Sequence, residues 1–142
     1  MTTLLLTTEQ ALKAIAEIPD VSAYEGLFSS VQYYTGINNE SKKAPCVICS
    51  ATEATEEVVN LGVYNVRAQI TVKERASTTA TTTTLADTIF RGFLTGSIEQ
   101  DLKNQVSNYH VHNVYVENKT ASEEGKMWVQ QLNLMIMCCM TQ

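Results

Sequence analysis

The sequence predicts an α+β domain: an antiparallel or mixed sheet of about four to five strands, with two helices packed on one face. Three observations carry that expectation. Two long stretches, Leu61 to Lys73 and Lys126 to about Met140, alternate apolar and polar residues with a period of two. Two other stretches repeat apolar residues at helical spacing. The predicted elements run α, (β), β, β, α, β, β, with no internal repeat and no proline-rich linker. A chain of 142 residues, 44% hydrophobic and 18% charged, fits one globular domain over residues 1–142.

The first helix is predicted over residues 7–18, TTEQALKAIAEI. Thr7 followed by Gln10 forms a capping-box pattern, Leu12, Ile15, Ala16 and Ile18 give the apolar face, and Pro19 stops the run. A strand is predicted near 27–34, then an exposed loop at NNESKK. Residues 45–52, PCVICSAT, read as a strand behind a proline, and the acidic segment EATEE at 53–57 as a turn or projecting loop. In the strand that follows, Tyr64, Val66, Ala68, Ile70 and Val72 point one way, and Asn65, Arg67, Gln69, Thr71 and Lys73 the other.

The second helix is predicted over about 79–94. Its first turns are rich in threonine, a weak helix former, but Leu85, Ala86, Ile89, Phe90, Phe93 and Leu94 define one face, and Gly96 suits the C-cap. A strand over 109–117, a loop NKTASEEG at 118–125 and a final strand from Lys126 complete the chain. In that last strand Trp128, Gln130, Leu132, Leu134, Ile136 and Cys138 share one face. Met127, Val129, Gln131, Asn133, Met135, Met137 and Cys139 share the other.

A formal net charge of −5 argues against a surface that grips nucleic acid by neutralising phosphates. It is compatible with a wall past which DNA slides. No apolar run reaches the length of a membrane span, and MTTLLLTTEQ has no basic segment of the kind that opens a signal peptide. The expected setting is a reducing cytoplasm, where the four cysteines are free thiols.

The candidate chemistry is thin. His110 and His112, two apart in a strand, project from one face and could chelate a metal if Cys138 or Cys139 supplied a third ligand. Against this, a lone HxH without further His or Asp ligands fits a polar strand face. Cys46 and Cys49 resemble a CxxC motif, but an offset of three along a strand sends the sulfurs to opposite faces, as buried structural thiols. No GxSxG, HExxH or phosphate-binding glycine loop is present, so no catalytic residue, metal or cofactor is assigned.

The long strands carry more information. Their faces exceed what two helices can cover, and the second face of the final strand is more apolar than a free surface needs. Met127, Val129, Met135 and Met137 are therefore the expected subunit interface. The acidic residues Glu53, Glu56, Glu57, Glu123 and Glu124 are the expected contacts with other partners.

From PCVICSAT through the acidic loop, VYNVRAQITVKE, LADTIFRGFL and YHVHNVYV to GKMWVQQLNLMIMCC, the order and spacing resemble the tail-terminator and neck (tail-completion) proteins of tailed bacteriophages. The resemblance spans roughly residues 44–140. It implies a non-enzymatic virion subunit, assembled in the host cytoplasm into a homo-oligomeric, typically hexameric, ring at the head–tail junction. Such a ring contacts the tail tube and the neck or connector proteins, and genomic DNA passes through it without specific binding. The alternatives are a tail-tube or minor capsid subunit, or a small metal- or ligand-binding protein using His110 and His112.

Overall fold

A computed structural model describes residues 2–18, 31–36, 46–58, 62–75, 85–94, 109–124 and 127–140. The elements are α1 (Thr2–Ala16), β1 (Gln32–Thr35), β2 (Cys46–Val58), β3 (Val63–Arg75), α2 (Leu85–Leu94), β4 (Tyr109–Glu124) and β5 (Met127–Met140). The strands form one mixed sheet in the order β1-β2-β3-β5-β4. β1 runs parallel to β2, and the other three pairings are antiparallel. The α+β expectation holds: the described residues form a five-stranded sheet with two helices. None of the described helices is long and apolar enough to cross a membrane.

β3 and β5 form the centre of the sheet, in unbroken register from Tyr64 opposite Cys138 to Arg75 opposite Met127. Their alternation decides what is inside. Val66, Ala68, Ile70 and Val72 of β3 and Leu132, Leu134, Ile136 and Cys138 of β5 are buried in a single core. Leu12 and Ile15 of α1 and Ile89, Phe90 and Phe93 of α2 join that core, so both helices lie on this face. Each of the valine, leucine, isoleucine and phenylalanine side chains contributes roughly 1.5–3 kcal/mol by leaving water, which is why the period-two pattern fixes the register.

Two buried carboxylates seat the helices on the sheet. Glu9 of α1 accepts a hydrogen bond from the Ala51 N–H at 2.9 Å, beside the β-bulge where β2 shifts register between Ala51 and Glu53. Glu74, fully buried near the end of β3, accepts one from the Ala86 N–H at 3.2 Å. Ala86 is the second residue of α2, whose amide has no partner within the helix, so Glu74 caps the helix from a neighbouring strand.

Several boundaries differ from the sequence reading. α1 begins at Thr2 rather than Thr7. Leu4, Leu5 and Leu6 are good helix formers, so the helix continues upstream and the Thr7/Gln10 pair lies inside it. Ile18 is 64% exposed rather than part of the apolar face, because the helix closes at Ala16. The predicted strand near 27–34 falls at Gln32–Thr35, and residues 27–30 lie outside the described set. The NNESKK loop and the threonine-rich start of the second helix, residues 79–84, also lie outside it.

Two predicted loops are strand. EATEE belongs to β2, with Glu53 opposite Arg67, Ala54 opposite Val66 and Thr55 opposite Asn65. Its alternation survives the bulge: Ala54 packs against the core, while Glu53 and Thr55 stay exposed. Residues 118–124 of NKTASEEG continue β4, paired with β5 as far as Glu124 opposite Met127. Polar composition reports solvent contact, and an edge strand facing water satisfies it as well as a loop does.

Candidate assembly surface

The sheet face turned away from α1 and α2 is closed at one side and open at the other. Cys46, Ile48, Ser50, Thr71 and Lys73 are buried there. The accessible part is built from the first half of β3, from β5, and from the outer strand β4. β4 is 16 residues long, or about 50 Å at 3.3 Å per residue, and forms one edge of the sheet.

The middle of this open face is polar and internally bonded. The Gln131 amide nitrogen donates to Gln69 Oε1 at 3.1 Å and to Thr71 Oγ1 at 3.3 Å, and Asn133 donates to Asn118. Arg67 Nη1 reaches both oxygens of Glu117 at 3.1 and 3.2 Å, spanning from β3 across β5 to β4. Both partners are part-exposed, so the pair contributes no more than about 1 kcal/mol. Arg67, Gln69, Glu117, Asn118 and Asn133, with Thr52, line a polar groove.

Toward the C-terminal end of β5 the face carries two methionines among mostly polar cross-strand neighbours. Met135 lies between Arg67 and Tyr115, and Met137 between Asn65 and Asn113. Both methionines are half-buried, and Tyr115 beside them is 49% exposed. Val129 is half-buried on the same face near the other end of the strand. Met127 occupies the matching position, opposite Arg75 on β3 and Glu124 on β4. Val129, Met135 and Met137 thus share one face, but the amide-rich centre separates Met135 and Met137 from Val129.

The acidic residues fall into two groups at opposite ends of the sheet. Glu53, Glu56 and Glu57 lie in the last part of β2, which pairs with the start of β3. Glu123 and Glu124 end β4, beside Trp128 and Met127 and thus near Arg75 at the end of β3. The span of β3 from Tyr64–Arg67 to Glu74–Arg75 sets the two groups roughly 23–36 Å apart.

The histidines sit at the Met137 end. His110 is opposite Cys139, and His112 occupies a second bulge, between Val111 and Asn113. The two rings lie edge to face with centroids 4.7 Å apart, and His112 Nε2 is 3.7 Å from Cys139 Sγ. Cys138 points into the core and takes no part. Among the described residues, no group of three or more His, Cys, Asp or Glu side chains could hold a metal ion.

Cys46 and Cys49 are buried thiols that form no disulfide. Cys49 belongs to the helix-side core and Cys46 does not, so the strand offset separates them as expected. Burial pushes the Cys49 thiol up to about 12, which leaves it protonated and unreactive in the folded protein.

The residues missed by the sequence reading are Glu9 and Glu74. Each has a faint signal: Glu9 lies three residues before Leu12 on the apolar side of α1, and Glu74 continues the buried series Val66, Ala68, Ile70, Val72. A charge in phase with a core face marks a carboxylate with a buried task. No family model matches the chain, and no curated protein matches it.

Proposed function

We propose that this chain is a structural, non-enzymatic subunit of a tailed-phage virion that self-assembles into a ring, of six copies by the resemblance, at the head–tail junction. The observation that carries the reading is the open face of the sheet, away from the two described helices, where the half-buried Met135 and Met137 stand beside the exposed Tyr115. A heterologous contact between such a face and a neighbouring copy closes into a ring when its rotation closes. The acidic strand ends at the two extremes of the sheet support contacts with one neighbour above and another below: the tail tube on one side, the neck or connector on the other.

The charge balance supports the same reading. A net charge of −5 suits a channel through which DNA passes without being held. Arg67, the cation of the polar groove, is ion-paired to Glu117 and offers phosphates little.

Electron microscopy of the purified protein, alone and mixed with tail tubes, tests the proposal. Closed rings with an open centre, docking to tube ends, are expected. Rings that stack into tubes unaided would reassign the subunit to the tube itself. Dispersed monomers that never engage tubes would overturn the reading.

A further inference from the structure

We draw no further inference here: the strongest candidate, the His110–His112–Cys139 side-chain cluster where β4 pairs with the end of β5, brings only Cys139 and His112 to sulfur–nitrogen contact distance, and the described residues contain no group of three or more His, Cys, Asp or Glu side chains that could hold a metal ion.

Discussion

Changing Met137 to Lys should break assembly while leaving the subunit folded. Met137 sits on the open face of β5 between Asn65 and Asn113, with no ionic neighbour in either cross-strand position. In the isolated subunit it is only half-buried, so a lysine can lie along the sheet and carry its ammonium into water. The folding cost is then within about 1 kcal/mol, a shift of roughly 2–4 °C in melting temperature for a domain of this size. At a subunit contact the same change forfeits the burial of a methionine, about 1.5–3 kcal/mol, and forces an ammonium out of water. Even the lower sum weakens each contact by ten-fold or more, and every contact in a ring carries the substitution. Met135→Lys should act in the same direction but less cleanly, because Met135 is opposite Arg67 and the new charge adds repulsion inside the subunit. The control is Leu134→Ala, in the core, which should cost folding about 2–5 kcal/mol. Light scattering after gel filtration reads assembly, and circular dichroism on heating reads folding. A Met137→Lys protein that melts normally and still forms the wild-type assembly would show that Met137 lies outside the subunit contact.

Replacing His110 with Asn and His112 with Gln should leave the melting temperature nearly unchanged, with or without added zinc. A large drop together with the loss of bound metal would reverse that expectation. Glu74→Ala should destabilise by about 1–3 kcal/mol in urea melts, because the Ala86 amide at the start of α2 loses its acceptor. Glu74→Gln, which keeps an acceptor oxygen, should recover part of the loss. Cys49 predicts an alkaline effect: its thiol ionises near 9.0 when unfolded and near 12 when buried. Below pH 9 it is neutral in both states and its stabilising effect is fully present. As pH rises from 9 toward 12 only the unfolded chain ionises, so stability falls by up to about 1.4 kcal/mol per pH unit. Urea midpoints measured across that window should fall less steeply in Cys49→Ala than in the parent, and equal slopes would exclude Cys49 as a source.

The fold was legible where one physical rule dominated. In β3 and β5 the alternation of Val66, Ala68 and Ile70 with Arg67 and Gln69, and of Leu132 and Leu134 with Asn133, determines which side chains enter the core. The spacing of Ala86, Ile89, Phe90 and Phe93 did the same for α2. The reading failed where backbone pairing, rather than side-chain character, holds the strand. Glu53 and Thr55 of EATEE and residues 118–122 face water, and β3 and β5 pair with these stretches regardless. Thr7 and Gln10 match a cap, but a cap is set by what precedes it, and three leucines there extend the helix. For the assembly surface, the sequence showed that Met135, Met137 and Val129 share a face. It did not show the Gln69–Gln131 and Arg67–Glu117 bonds that divide that face, since these depend on the strand order β3-β5-β4. Nor could it choose between Cys138 and Cys139 as neighbour of His112, a choice made by the register of β4 on β5.

Self-association through the open sheet face is read from the mass of the purified protein in solution. Light scattering coupled to gel filtration, with and without tail tubes, should give a closed assembly of about six protomers, each of 15.7 kDa. A strict 15.7 kDa monomer under both conditions, above all one carrying stoichiometric zinc, would contradict the account.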